Sequence, residues 1–313
     1  MRYDWTLEEL LALDELPLMQ LVDKAHQVHR TFHEVGEVQV GHLISVKTGG
    51  CQEDCRYCAQ SSRYKTSIIA EPMMTLDEVL TAAREAVRQG ATRICLSIAW
   101  REIREGKIFD QMLEMVKGVS AMNVEVCCTM GMADSAHLEQ LKAAGLHAYN
   151  HNLDTSESFY PQIITTRCYA DRIATLDRVQ KAGLSICCGG IIGLGEERID
   201  RLKLLLTVAQ RNPHPESFPI NRLVAVPGTP LEDRSLLSFW DLLRFVAMAR
   251  IVLPKAMVRL SAGRIEMSFE QQALCFFAGA NSMFIGDKLL TVANTPQDRD
   301  EEMFALLGLK VKR

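Results

Sequence analysis

Cys51, Cys55 and Cys58 stand as Cys-x-x-x-Cys-x-x-Cys, directly after an apolar run and the pair Gly49-Gly50. Iron–sulfur clusters are ordinarily held by four cysteine thiolates. Three within so short a segment leave one iron of a [4Fe–4S] cluster free of protein ligand, a place where a small molecule can bind and be reduced. Structural zinc sites usually show two C-x-x-C pairs, or cysteine with histidine at matching spacing. Here only Cys55 and Cys58 form such a pair, and no second pair follows nearby. A disulfide framework is not expected in a 313-residue chain without a secretory signal at its start.

Such a loop needs a rigid scaffold. Short apolar or β-branched runs occur near 40–47, 92–98, 123–128, 146–151, 184–188, 219–226, 256–261 and 281–285. Helical patterns lie between them, at 75–89, 109–121, 135–144, 170–182, 198–210 and 238–253. Gly90, Gly145 and Gly183 follow three of these helices, where glycine takes up the left-handed conformation without penalty. Eight strands alternating with helices predict an α/β fold of the (β/α)8 TIM type. No Gly-x-Gly-x-x-Gly follows the first strand, which counts against a dinucleotide-binding sheet. No linker, low-complexity tract or charge block divides the chain. It is read as one domain, with N-terminal helices over about 1–38, the barrel over about 39–290 and a C-terminal tail over about 291–313.

On this scaffold Cys51 falls at the carboxyl end of the first strand, the face where barrel enzymes keep their chemistry. Cys95, Cys127 and Cys187 fall inside the second, third and fifth strands. Neighbouring strand residues point to opposite faces, so only one of Cys127 and Cys128, and one of Cys187 and Cys188, faces the lumen. Three lumenal thiols with one more ligand suit a second cluster; small buried core thiols are the alternative.

A net charge of −4 gives no electrostatic case for nucleic acid or an anionic membrane surface. No run of about 18 apolar residues provides a membrane-spanning helix. The ten cysteines are read as reduced, cytoplasmic thiols. The 14 methionines are read as gap-fillers of the core. His26, His29 and His33 are read as helix surface or packing, and His151 as lying on the other face of its strand. Cys168 and Cys275 have no evident partner.

The cysteine triplet resembles that of the radical S-adenosylmethionine (SAM) enzymes. Several longer stretches resemble one of their families, the biotin synthases, from Trp5 to about Leu309. They are Ser45-Val-Lys-Thr-Gly-Gly-Cys51 running on to Lys65, Tyr149-Asn-His-Asn-Leu-Asp154, Ile163-Ile-Thr-Thr-Arg167 and Gly189-Gly-Ile-Ile-Gly-Leu-Gly-Glu196. Pro219-Ile-Asn221, Val258-Arg-Leu-Ser-Ala-Gly-Arg264, Ala278-Gly-Ala-Asn-Ser282 and Gly286-Asp-Lys-Leu-Leu290 complete the set. The triplet alone marks the superfamily; its combination with the other stretches marks the family.

The resemblance implies an enzyme, a sulfurtransferase that closes the thiophane ring of dethiobiotin by placing sulfur between two unactivated carbons. Those C–H bonds have no acidic proton, so the chemistry needs a radical, which a cofactor supplies. A [4Fe–4S] cluster on Cys51, Cys55 and Cys58 would bind SAM and cleave it to a 5′-deoxyadenosyl radical that takes hydrogen from dethiobiotin. A [2Fe–2S] cluster on Cys95, Cys127, Cys187 and Arg259 would give the sulfur. Arg259 shares a strand face with Ser261 and Gly263, so it is able to point inward; without the motif it would be read as a buried ion pair. The resemblance further implies SAM contacts from Tyr57, Asn152, Asp154, Arg172, Ile191 and Ile192, and substrate contacts from Asn150, Asn152 and Asn221. Asn152 and Asp154 suit ribose hydroxyls, Arg172 suits the methionine carboxylate, and Asn150 with Asn221 suits the ureido ring. Each asparagine alone would be read as a turn or cap. A flavodoxin-like electron donor and a homodimer are implied too.

Cys128, Cys188 and the stretch Ser97-Ile-Ala-Trp100 depart from the family pattern. The extra thiols leave open a slipped register or another cluster type. Two rival readings make different demands. A radical SAM maturase or methylornithine-type mutase would not need the inward set of Cys95, Cys127, Cys187 and Arg259. A cluster carrier or redox sensor would not need Asn152, Asp154 and Arg172.

Overall fold

The computed structural model describes residues 1–312. Two helices come first, α1 (Leu7–Asp14) and α2 (Leu18–Phe32). The barrel strands follow: β1 (Glu37–Lys47), β2 (Arg93–Ile98), β3 (Glu125–Thr129), β4 (Ala148–Asn150), β5 (Ser185–Cys187), β6 (Gly190–Ile192), β7 (Ser217–Arg222), β8 (Met257–Leu260) and β9 (Ser282–Ile285). All pair in parallel, and β1 closes the ring by pairing with both β2 and β9. The helices between them are α3 (Leu76–Arg88), α4 (Lys107–Ser120), α5 (Ser135–Ala143), α6 (Tyr169–Lys181), α7 (Arg198–Ala209), α8 (Phe239–Val252) and α9 (Phe269–Phe277). The expected (β/α)8 barrel is present.

Its fifth position is split in a way the sequence reading did not anticipate. β5 pairs Cys187 with Ser217, and β6 resumes with Gly190 opposite Ile220, so the register carries through the break. Pro219 of β7 faces the gap and has no N–H to offer the ladder. The two glycines there allow close approach. A Cβ on Gly189 would lie 2.0 Å from the Pro219 carbonyl oxygen, and one on Gly190 would lie 2.8 Å from that of Asp154.

α1 and α2 lie along the side of the barrel against α7 and α8. Arg244 fastens them by donating to the Asp14 and Leu16 carbonyl oxygens at 2.6 and 2.9 Å. At the other end, β10 (Lys288–Leu289) and β11 (Val292–Ala293) form an antiparallel hairpin, followed by α10 (Gln297–Leu307) and β12 (Lys310–Val311). β12 extends the start of β1 in parallel, and buried Arg264 grips Asp300 of α10 at 2.5 and 2.7 Å. Both contacts bind the C-terminal segment to the barrel.

Most apolar residues pack between strands and helices. A smaller lumenal cluster gathers Cys95, Cys127, Ala148, Cys187, Phe284 and Leu289. Cys128 and Cys188 belong to the outer layer. In the observed register, strand alternation turns them away from the lumen and leaves Cys127 and Cys187 facing it, as expected.

Candidate active site

The cluster loop leaves β1 through Gly49 and Gly50, with φ of +77° and +72°. A side chain on Gly49 would also put its Cβ 2.9 Å from the Ala70 Cα. The Cys51 N–H donates to the Gln60 carbonyl at 3.0 Å, and the Cys58 N–H to that of Cys55 at 2.9 Å, folding the loop onto itself. The Ile163–Arg167 stretch holds it from outside. The Thr165 and Thr166 N–H groups donate to Asp54 Oδ1 at 2.9 and 3.2 Å, and the Arg56 N–H donates to the Ile163 carbonyl at 3.1 Å. Burial opposes ionisation of Asp54, yet these donors draw its carboxyl down to about 2. Burial pushes the Cys55 thiol up to about 12 and Cys58 up to about 11. Loading metal here must therefore displace protons.

All three thiols line a cavity of ≈ 300 Å³ at the carboxyl face of the barrel. Tyr57, Asn150, Asn152, Asp154, Arg172, Ile191 and Asn221 share it, as do Ser97–Trp100 and the β10–β11 hairpin. Ile192 does not; it is buried in the outer layer. Asp154, with φ +66°, accepts at Oδ2 from Tyr57 OH at 2.9 Å and from Arg172 Nη2. Arg172 also donates from Nε to Tyr160 OH at 3.0 Å and from Nη1 to the Asn152 carbonyl at 2.6 Å. Its fork is thus engaged in fixing the Asn152–Asp154 turn. Asn152 Oδ1 accepts from the Gly189 N–H at 3.0 Å. Asn221 joins strands, donating to the Gly190 carbonyl at 3.1 Å and accepting from the Ala262 N–H at 3.3 Å.

Beneath this cavity sit the lumenal thiols. Cys95 lies opposite Cys127 in the β2–β3 register. Asn150 Nδ2 donates to Cys187 Sγ at 3.1 Å, and Arg259 Nη1 lies 3.9 Å from the same sulfur. Arg259 is fully buried, with Nε on Ser282 Oγ and Nη2 on Gln39 Oε1, both at 2.8 Å. It has no carboxylate partner among the described residues. A hydrogen bond from Cys127, then the Arg259 and Arg93 charges, hold the Cys187 thiol below its ordinary value. Cys127 is pushed well up in return by its bonds to Cys187 and Cys95.

Both thiol sets suit clusters better than a single ion. Zn–S bonds of about 2.3 Å require thiolates within about 4 Å of one another. Among the described residues, only Glu125, His147 and Glu216, at the opposite end of the barrel, bring three ligand atoms within 4.8 Å.

Some cavity residues stood in recognised stretches without being singled out for the site. Arg167 and Glu53 line it, nearly buried, and Arg101 Nη1 lies 3.4 Å from Glu53 Oε1. Arg167 Nε lies 3.9 Å from Glu53 Oε2, and neither Nε nor Nη1 has a hydrogen-bond partner among the described residues. His151, read as facing away, lines the cavity too; burial and the neighbouring arginines keep it neutral, well below its usual value. Cys168 is exposed and Cys275 is buried on α9.

Two family models together cover most of the chain. Residues 45–208 match the Radical SAM superfamily and residues 219–310 the Biotin and Thiamin Synthesis associated domain. Among curated proteins, "Biotin synthase" of Cytophaga hutchinsonii is 54% identical over 312 residues, spanning 100% of this chain and 93% of that one. That of Synechococcus elongatus is 54% identical, spanning 98% and 96%, and the mitochondrial protein of Arabidopsis thaliana is 52% identical, spanning 98% and 82%. Among solved structures, methylornithine synthase superposes with TM-score 0.82 at 18% identity, covering 99% of this chain and 95% of that one. A maturase of [FeFe]-hydrogenase superposes with TM-score 0.82 at 15% identity, covering 97% and 71%. Those two share the barrel at low identity, whereas the sequence relatives are more than half identical over nearly the whole chain, and the chain belongs to the biotin synthase family of radical SAM enzymes.

Proposed function

We infer that this protein is a sulfurtransferase that converts dethiobiotin to biotin. The observation that carries the reading is the stacking of two thiol sets at one barrel end, one opening on the cavity and one beneath it. Members of the family use a [4Fe–4S] cluster, SAM and a second, [2Fe–2S] cluster. Cys51, Cys55 and Cys58 would hold the first; Cys95, Cys127, Cys187 and Arg259 would hold the second. When bound, the clusters supply an electron for SAM cleavage and the sulfur that enters the product.

The protein's residues bind and orient. Arg172 and Tyr57 fix Asp154, leaving Oδ1 without a protein donor among the described residues and available to a ribose hydroxyl. Asn152 is braced by Gly189, and its amide nitrogen faces the same ligand. Ile191, on the cavity wall, would pack against the adenine, with Ile192 contributing only through its backbone. Asn150 and Asn221 flank the ureido ring between the two thiol sets. Ile98, Trp100 and Leu289 make part of the cavity wall apolar, which would exclude solvent and hold the reacting partners in a fixed geometry.

One barrel domain carries all of this, in a cytoplasmic homodimer. No helix of the described residues is long and apolar enough to cross a membrane. A low-potential donor such as flavodoxin delivers electrons at the cluster loop, where exposed Arg56 and Arg63 favour an acidic carrier.

Anaerobic reconstitution with iron and sulfide, followed by SAM, reductant and dethiobiotin, tests the reading. Biotin and 5′-deoxyadenosine rising together support it. Deoxyadenosine without biotin, from protein shown to hold both clusters, refutes the substrate.

A further inference from the structure

One layer below the lumenal thiols, Arg93, Glu125 and Ser185 each precede a cysteine by two residues and so share its strand face. Arg93 is fully buried. Its Nε donates to Glu125 Oε2 at 2.8 Å and its Nη2 to Glu216. Nε and Nη2 form one edge of the planar guanidinium. The carboxylates they reach are 39% and 30% exposed, so this edge faces the amino-terminal rim of the barrel.

Nη1 lies on the other edge. It is out of reach of solvent and has no hydrogen-bond partner among the described residues. Burying a donor of a charged group without an acceptor costs more than burying a neutral one so, and native proteins rarely do so without a reason. On the side away from the rim, the next layer is that of Cys95, Cys127 and Cys187. Gln39 ties the two arginines of this region together: Nε2 donates to Glu125 at 3.1 Å while Oε1 accepts from Arg259 at 2.8 Å.

We propose that Arg93 is a positioning residue whose Nη1 donates a hydrogen bond to the sulfur atoms of the second cluster. Glu125 and Glu216 hold its fork so that the free edge faces inward. The proposal rests on the assignment of Cys95, Cys127, Cys187 and Arg259 to that cluster. Donors to thiolate and sulfide spread negative charge, retain the cluster and raise its reduction potential.

The test uses reconstituted full-length protein and reads the [2Fe–2S] bands of the resonance Raman spectrum at a series of potentials, with cluster loss to a chelator as a second readout. Removing an outer partner of a metal site typically costs 10–100-fold in affinity. R93M is therefore expected to lose the second cluster about tenfold faster, and to shift its reduction equilibrium about tenfold towards the oxidised form, or ~59 mV for one electron. E216Q cuts the rim ion pair but leaves Nη1 in place, and is expected to move neither readout that far. R93K keeps the charge and the rim pair without the second edge, and carries the test if R93M does not fold; its Fe–S stretching bands are expected to shift as well. Equal effects of E216Q and R93M would make Arg93 a rim strut and overturn the proposal. Wild-type protein holding both clusters, with R93K indistinguishable from it, would overturn it too. Failure of C127A to lose the second cluster would instead overturn the underlying site assignment.

Discussion

Adjacent cysteine pairs offer a sharp perturbation, because the two thiols of each pair differ in little but the face they occupy. Cys127 and Cys187 lie in the lumenal cluster; Cys128 and Cys188 are fully buried among helix-facing residues. Cys128→Ala removes one sulfur from the outer layer. Lost transfer energy together with a cavity smaller than that of a Leu→Ala change gives about 1 kcal/mol of destabilisation. The same estimate holds for Cys188→Ala. Neither change touches a ligand of the second cluster, so both proteins should assemble it in full. Cys127→Ala and Cys187→Ala should cost similar stability without iron but fail to assemble that cluster. The assay is iron and sulfide per chain with visible absorption after reconstitution, beside urea midpoints of the cluster-free proteins. Loss of the second cluster in C128A or C188A, or its retention in C127A, would refute the strand register and the ligand set drawn from it.

Gly49→Ala should destabilise the cluster loop by about 2–3 kcal/mol, from its φ of +77° and the 2.9 Å approach to Ala70, and chelator challenge should strip the first cluster faster. Arg172→Met should cost about 3–5 kcal/mol by leaving Asp154 buried without its ion-pair partner, and calorimetry should show weakened SAM binding in the remaining folded protein. Burial raises the Glu216 carboxyl, but His147 and Arg93 outweigh it and hold it at about 2 against an ordinary 4.5. A depressed carboxyl stabilises above its unfolded value and loses that contribution as pH falls through its folded one. Unfolding free energies should therefore drop by about 2–3 kcal/mol between pH 4.5 and 2 in the wild type, and by less in Glu216→Gln.

The barrel was legible because eight short apolar runs and glycine-terminated helices alternate along the chain, and periodicity survives without tertiary knowledge. The gap between β5 and β6 was not: Gly189-Gly190 reads as an end of strand, while the cause of the break, Pro219, lies on the next strand round. α9 and α10 are short, and they are held by partners such as Arg264 on Asp300 that spacing does not reveal. In the site, strand alternation correctly limited each cysteine pair to one lumenal member, and the register then chose it. His151 was misplaced because β4 ends at Asn150, and alternation has no force beyond a strand's last residue. Arg93, Arg167 and Glu53 are single charges whose meaning comes from buried partners distant in sequence. Arg167 did stand in a recognised stretch, whose threonines clamp Asp54 of the cluster loop.

The source of the inserted sulfur tests the account most directly. Protein reconstituted with 34S-sulfide would be given SAM, reductant and dethiobiotin in unlabelled buffer, and the biotin formed in the first turnover weighed by mass spectrometry. Biotin carrying 34S, with a matching loss of [2Fe–2S] absorption and no product from C127A, is the expected result. Unlabelled biotin, or biotin from C127A, would contradict it.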